Sequence, residues 1–346
     1  MAWLGAGKHG EMGYLANDLE LKFDPARVLE GTRAFIMVAD QYGERGESRE
    51  QRSEGGERPV LGDRGPNEPT PTPPSGRGLV ARYAQGRNYH WVMKDRLHRL
   101  SDELRAEFPG SKFRTFVDTV PVLERELAEL AGIGWQSKNS MIINARLGSW
   151  FVLGGVATTL ELEPPPEQER SPDHCGTCTR CIDACPTKAI TAYSVDGSRC
   201  ISYLTIEHRS VIDPALHAAM GEWVYGCDVC QEVCPHNSAR GAREGAEAAR
   251  RNPAYESKHP TLSLLDVLGW TRDSRREAFT SSAMKRANLA MMKRNALIAA
   301  GNWLARRDDA PLRTRIEELA GDASEPEMVR RTAADVMARL RGSCAR

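Results

Sequence analysis

Cysteine spacing constrains this chain more than any other feature. Eight of its nine cysteines fall at Cys175, Cys178, Cys181 and Cys185, followed by Pro186, then at Cys200, then at Cys227, Cys230 and Cys234, followed by Pro235. The first run reads C-x2-C-x2-C-x3-C-P, and the second repeats it with one cysteine missing, which Cys200 can supply. Eight thiolates make two sets of four, the ligand demand of two 4Fe–4S cubanes, and in two-cluster modules the fourth cysteine of each run serves the other cluster. The spacing therefore assigns Cys175, Cys178, Cys181 and Cys234 to one cluster, and Cys185, Cys200, Cys227 and Cys230 to the other. Paired C-x2-C segments also make zinc sites, but zinc does not ask for the x2-C-x3-C-P extension, and still less for it twice. A disulfide framework suits short secreted chains with little core, whereas this one has 346 residues, 40% of them hydrophobic. The ninth cysteine, Cys344, stands in a polar tail and reads as a surface thiol. A chain built this way moves electrons.

Composition limits the remainder. Length and apolar content provide for two or three domains, each with its own core. Lys plus Arg and Asp plus Glu both number 47, so a nucleic-acid surface has to come from local asymmetry. No stretch has the apolar length of a membrane span, and the first ten residues carry no signal-peptide pattern. Together with reduced thiols and oxygen-sensitive clusters, this gives the expectation of a cytoplasmic protein with no membrane partner; a monomer is the default state.

The expected fold class is α+β, in three parts. An α/β domain over 1–165 is read from strand-length apolar runs at 32–39, 113–117, 141–144 and 150–158, alternating with helical periodicity at 88–108 and 121–131. Segment 43–76 interrupts it with Gly, Glu, Arg, Ser and Pro and reads as a disordered insertion. Residues 166–240 form a ferredoxin-like double-cluster domain, and 241–346 a helical domain resembling HEAT-type repeats. Within the latter, 280–307 carries Lys285, Arg286, Lys293, Arg294, Arg306 and Arg307 without one acid, beside an apolar stripe of Leu289, Met292, Ala296, Leu297 and Ala300. That is either an ordinary solvated face or a field suited to RNA phosphates. Lys285, Arg286, Lys293 and Arg294 are the candidate tRNA contacts.

Six segments carry a wider resemblance: GRGLVARYAQGRNYH (76–90), FVDTVPVLERELAELAGIGW (116–135), SKNSMIINARLGSWFVLGGVATTLEL (137–162), DHCGTCTRCIDACPTKAI (173–190), RCISYLTIEHR (199–209) and YGCDVCQEVCPHN (225–237). In this order the sequence resembles the tRNA epoxyqueuosine reductases. The resemblance implies reduction of epoxyqueuosine to queuosine at the tRNA wobble position, with electrons passing from two 4Fe–4S clusters to cobalamin. It also implies an external low-potential electron donor. Opening an epoxide reductively needs a proton at the departing oxygen, and Asp118 matches the family's proton donor; standing alone, such a carboxylate before Pro121 would read as a helix cap. Holding a proton near neutral pH requires Asp118 to be raised by burial. Arg82, Tyr83, Tyr89 and His90 fall in the segment resembling the cobalamin and substrate wall. Lys138, Asn139 and Ser140 stand at the family's K-N-T turn, and Ser202 and Asp228 are implied cobalamin neighbours, although neighbours of cluster ligands also serve the cluster sulfurs.

The sequence departs from that family in starting late, in reading Trp135-Gln136-Ser137-Lys138-Asn139-Ser140 where W-I-G-K-N-T is usual, and in its long 43–76 segment. These departures bear on cobalamin, not on the clusters. Two other readings are a cobalamin and iron–sulfur enzyme of the reductive dehalogenase type, and a non-catalytic iron–sulfur electron carrier.

Overall fold

The computed structural model describes residues 1–46, 76–166, 168–238 and 251–344. The insertion read at 43–76 lies almost wholly outside the described residues, as does the side chain of Cys344.

Strand β1 (Ala34–Gln41) is followed by β2 (Arg77–Val80), helix α1 (Tyr89–Glu107), β3 (Phe113–Phe116), α2 (Glu124–Leu130), β4 (Trp135–Gln136), β5 (Ile142–Ile143) and β6 (Phe151–Thr158). β6 is central to a three-stranded antiparallel sheet, paired with β1 from Ala34↔Thr158 to Gln41↔Phe151 and with β3 from Phe113↔Thr158 to Phe116↔Gly155. Side chains alternate across a strand, and here the two faces part cleanly. Ile36, Val38, Val152 and Val156 pack with Met93 and Leu97 of α1, whereas Met37, Ala39, Phe151 and Leu153 pack with Ala128 of α2. A helix on each face gives the expected layering, although every strand pair in this sheet is antiparallel. Gly154 allows α1 to settle, since a Cβ there would meet Met93 Cγ at 2.9 Å. The strand expected at 141–144 contracts to β5, which pairs with β4.

The cysteine-rich stretch is made of short pieces: α3 (Arg180–Asp183), the hairpin β7 (Ile190–Thr191) and β8 (Ser194–Val195), α4 (Ile201–Ile206), β9 (Trp223–Tyr225) and α5 (Val229–Glu232). Buried polar groups dock it on the first sheet. Gln231 Nε2 donates to Ser149 O and Oγ, both at 3.0 Å, and Ser149 N donates to Asn237 Oδ1 at 2.7 Å. The rest is β10 (Thr261–Ser263), α6 (Leu264–Gly269), α7 (Arg272–Ala278), α8 (Leu289–Leu304), α9 (Ala310–Gly321) and α10 (Glu327–Cys344).

Strand β2 sits between β9, parallel, and β10, antiparallel. One small sheet thus joins pieces from all three divisions of the sequence. Val80, Val224 and Leu262 enter the same core as α6 and α8–α10.

Helix α8 is enclosed on all sides, with every residue from 291 to 304 buried. This corrects the reading of its charged residues as surface groups. Lys293 is paired with Glu325, and Arg294 is fully buried. The Arg294 guanidinium donates to Leu204 O (2.6 Å), His208 O and Ser210 O (2.7 Å each), so it satisfies backbone carbonyls at and beyond the end of α4. No described helix is long and apolar enough to cross a membrane.

Candidate active site

The eight cysteines are unbridged and sort into two groups in space. The Cys234 thiol lies within the electrostatic reach of Cys175, Cys181 and Cys178, and the Cys181 thiol in that of Cys175 and Cys178. Cys200 neighbours Cys185, Cys227 neighbours Cys230 and Cys200, and Cys230 neighbours Cys200, Cys181 and Cys185. These neighbourhoods are compatible with the crossed pattern read from spacing, and Cys181 and Cys230 influence each other across the two groups. Burial pushes every one of these thiols for which a shift is resolved upwards, Cys234 to about 11 and Cys227 and Cys230 well above the ordinary thiol value. Cationic iron has to offset that cost before thiolates form. Among the described residues no three His, Cys, Asp or Glu side chains converge as a single ion requires; a tetrahedral zinc draws its sulfurs to about 2.3 Å, while a cubane spreads them around a box.

The turn at 137–140 braces both groups. Lys138 Nζ donates to Gly176 O (2.5 Å) and Cys178 O (3.1 Å), and the buried Asn139 donates through Nδ2 to Cys230 O (3.2 Å). Ser140 takes a positive φ of 65° and accepts from Arg125 through its carbonyl at 2.6 Å. Lys138 and Asn139, expected on the cobalamin side, thus hold cysteine loops. Trp135 went unnoticed in the sequence as a functional residue. Its ring is buried between His174 (4.8 Å) and His236 (4.9 Å), the neighbours of Cys175 and Cys234.

The second group abuts a different surface. Asp228, buried between Cys227 and Cys230, accepts the Arg82 backbone N–H on Oδ2 at 2.8 Å. The Arg82 guanidinium lies over Trp150 at 4.3 Å and 3.6 Å from Glu232. Tyr83 follows, its ring edge-on to Tyr89 at 5.8 Å and tilted against Tyr225 at 6.4 Å. Burial holds the Tyr83 and Tyr89 phenols well above their ordinary value, yet both residues remain partly accessible. Together with Tyr225 they form an aromatic wall. Ser202 contributes its backbone N–H beside Cys200.

Across that wall stands Asp118, whose carboxylate is 60% accessible and accepts from Tyr89 OH at 3.0 Å, with His90 Nε2 at 3.1 Å. Asn88 caps α1, and its Oδ1 accepts the His90 backbone N–H, which fixes the amide's orientation. The same oxygen lies 2.9 Å from His90 Nδ1, so Nδ1 carries a hydrogen. The contact between Nε2 and Asp118 is then attractive only with a proton between them, as imidazolium with carboxylate or as imidazole with carboxylic acid. Contrary to the expectation of a raised carboxyl, Asp118 is held below its ordinary value. The His90 hydrogen bond outweighs burial here. Glu124, within a quoted motif but given no role from sequence, is the carboxyl that burial lifts, to about 7. It accepts the Asp118 backbone N–H on Oε1 at 2.6 Å.

Of the four candidate RNA contacts, Lys285 and Arg286 are exposed, and each lies near an exposed aromatic ring. Lys285 Nζ is 5.2 Å from the Trp91 ring and the Arg286 guanidinium 5.7 Å from that of Tyr14. The rings are 47% and 48% accessible respectively. Arg286 is also engaged by both carboxylate oxygens of Glu207, at 2.7 and 2.8 Å. Trp91 directly follows His90, and the charge of Arg286 reaches Asp118.

Two groups of thiols, one of them beside an aromatic wall that carries a His–Asp contact, define an iron–sulfur oxidoreductase. The family profile described as 4Fe-4S double cluster binding domain matches residues 174–237, so the chain carries two such clusters. A second profile, Epoxyqueuosine reductase QueG, DUF1730, matches residues 22–119. An epoxyqueuosine reductase from Leadbetterella byssophila is 36% identical over 296 residues, covering 85% of each chain. A solved epoxyqueuosine reductase bound to a tRNA-Tyr epoxyqueuosine-modified stem loop superposes with a TM-score of 0.77 at 26% identity, over 98% of this chain and 81% of that one. Another, from Bacillus subtilis and with its catalytic aspartate loop swung out of the active site, gives 0.74 at 25% identity over 94% and 78%. The chain belongs to the epoxyqueuosine reductase family, and its reaction is the reduction of epoxyqueuosine in queuosine formation.

Proposed function

We propose that this chain carries out that reduction on the wobble nucleotide of tRNA, with electrons entering at the Cys175/Cys178/Cys181/Cys234 cluster, passing to the Cys185/Cys200/Cys227/Cys230 cluster, and leaving towards cobalamin held against Tyr83 and Tyr89. The order follows from position: the second quartet adjoins Asp228, Arg82 and Tyr83, and Tyr83 leads through Tyr89 to Asp118. Epoxide to alkene takes two electrons and two protons and releases water, which suits two one-electron carriers. The partly accessible yet strongly desolvated phenols of Tyr83 and Tyr89 fit the flat apolar face of a corrin. Cobalamin, when bound, supplies a reduced cobalt able to attack an epoxide carbon.

The protein's own contribution is one proton. Asp118 does not keep it unaided, but the His90–Asp118 pair does, because Asn88 fixes the imidazole so that a single proton is shared with the carboxylate. That proton passes through Asp118 to the epoxide oxygen, leaving neutral imidazole and carboxylate, and the second proton needed to release water comes from solvent. Lys285 and Arg286 offer positive charge, and Trp91 and Tyr14 offer faces on which unpaired bases stack. These four surround the site and support the approach of an anticodon loop. The three stacked helices α8–α10 support the HEAT-like reading of the C-terminal part. An external low-potential donor and a monomeric enzyme complete the proposal.

The observation that carries the proposal is the contact of His90 Nε2 with Asp118 at 3.1 Å, with His90 Nδ1 turned to Asn88 Oδ1. Single-turnover assays on epoxyqueuosine-containing stem loop test it. Asp118→Asn should lower turnover by about 10²–10⁴-fold while iron content and cluster spectra stay as in the wild type. An Asp118→Asn enzyme with full turnover would remove Asp118 from the proton path.

A further inference from the structure

Glu124 is a carboxylate of the site that proton transfer, as described, does not use. It begins α2, and its Oε1 reaches back to accept the backbone N–H of Asp118 at 2.6 Å. Asp118 has a φ of 55°, a left-handed conformation uncommon for a residue with a side chain. Such a conformation persists where surrounding contacts impose it. Segment 117–123, between β3 and α2, has little regular backbone bonding of its own: Thr119 N donates to Val117 O (2.5 Å) and Val122 N to Val120 O (2.8 Å), both across three-residue turns. Asp118 is thus held from two sides, its carboxylate by Tyr89 and His90, its backbone by Glu124.

We propose that Glu124 is the latch of the Asp118 loop, a positioning residue whose carboxylate holds the Asp118 amide while the loop lies over the site and lets go when the loop opens. The assignment rests on the reading of Asp118 as proton donor, and it accounts for how the acid returns to one place after each substrate exchange. A misplacement of about 1 Å at a reacting group costs up to about 10²-fold in rate. Releasing the latch therefore affects the chemical step more than substrate affinity. Burial lifts this carboxyl to about 7, with the charge of Asp118 adding to the effect and the hydrogen bond from the Asp118 amide and the charge of Arg125 opposing it.

The test compares wild type, Glu124→Ala and Glu124→Gln, each cluster-loaded, by single turnover, by affinity for the modified stem loop and by amide hydrogen exchange over 117–123. In Glu124→Ala the Asp118 amide should exchange at least about tenfold faster and turnover should fall by about 10–10²-fold, with unchanged cluster spectra and stem-loop affinity. Glu124→Gln, whose amide oxygen still accepts the bond, should recover most of both. Unchanged exchange in Glu124→Ala overturns the latch, and so does a Glu124→Gln enzyme as impaired as Glu124→Ala. If Asp118→Asn turns over normally while Glu124→Ala still loosens the loop, it is the proton-donor reading that fails and the latch that stands.

Discussion

The two cysteine quartets share a ligand type and differ in what surrounds them. The first, Cys175, Cys178, Cys181 and Cys234, is braced from outside, by Lys138 on its backbone carbonyls and by Trp135 packed between His174 and His236. The second, Cys185, Cys200, Cys227 and Cys230, is built into the reaction side of the molecule. Asp228 links its loop to Arg82, and Gly226 N donates to Thr205 Oγ1 at 2.9 Å beneath that loop. Gly226 itself has no room for a side chain, as a Cβ would come within 2.5 Å of Ala81 Cβ. Desolvation falls hardest on Cys227 and Cys230. On the proposed electron route, the cluster that relays electrons inward can sit in a replaceable frame. The one that hands them to the site has its ligand loop continuous with the site wall, so damage to it reaches the chemistry.

Ligand removal gives the largest effect and tests this contrast directly. Cys230→Ala should abolish turnover and also lower the melting temperature, because its loop loses the iron that offsets burial while it still underlies Arg82 and Tyr83. Cys178→Ala should keep about half of the iron, since four of the eight ligands remain a complete set, with a smaller loss of stability. Iron per chain and thermal melts check both. Equal loss from the two variants would break the distinction.

The link between the second quartet and the wall comes next. Asp228→Ala leaves the buried Arg82 N–H without its acceptor, at a cost of about 1–3 kcal/mol. Asp228→Asn keeps an oxygen there and should lose much less. Both should leave the signal of the first cluster unchanged while turnover falls in parallel with stability. Loss of the first cluster's signal in Asp228→Ala would show the quartets to be mechanically coupled.

The contrast also separates what the sequence discloses from what it hides. Cluster ligands are legible because a cubane demands fixed chain offsets, and the crossed assignment needs no tertiary knowledge. The long helix read at 88–108 and the apolar strand at 150–158 emerge within two residues, at Tyr89–Glu107 and Phe151–Thr158, since periodic burial marks them. β2 was quoted as part of a motif but not read as a strand, because its partners Trp223–Tyr225 and Thr261–Ser263 are remote in the chain. Lys293 and Arg294 looked like surface cations for the same reason: Glu325 and the carbonyls of Leu204, His208 and Ser210 that occupy them are not local. The depressed Asp118 carboxyl depends on Tyr89 and His90, a helix away, and no reading of VDTVP alone could supply them.

The smallest predicted effect is electrical, and it tests the outer brace. The Trp135 indole N–H is buried and makes no hydrogen bond among the described residues, but it lies close enough to Cys175 to favour its ionised form. A donor directed at a ligand sulfur stabilises the more negative, reduced cluster. Trp135→Phe keeps an aromatic ring between His174 and His236 but removes that donor, so the first cluster's potential should fall. A hydrogen bond worth about 1 kcal/mol corresponds to roughly 40 mV in a one-electron couple, on the scale of 59 mV per tenfold change. In the second quartet the donors include main-chain groups: Ala189 N to Cys185 Sγ at 3.3 Å, and the Ser202 and Tyr203 amides at Cys200. Replacing Trp135 leaves those in place. A redox titration followed by electron paramagnetic resonance should therefore show one signal shifted to lower potential and the other unmoved. A common shift would mean that the two clusters respond to one electrostatic environment and that the division into a receiving and a delivering quartet has no energetic basis; with one shift alone, the driving force between them becomes adjustable from a single side chain that touches neither the second cluster nor Asp118.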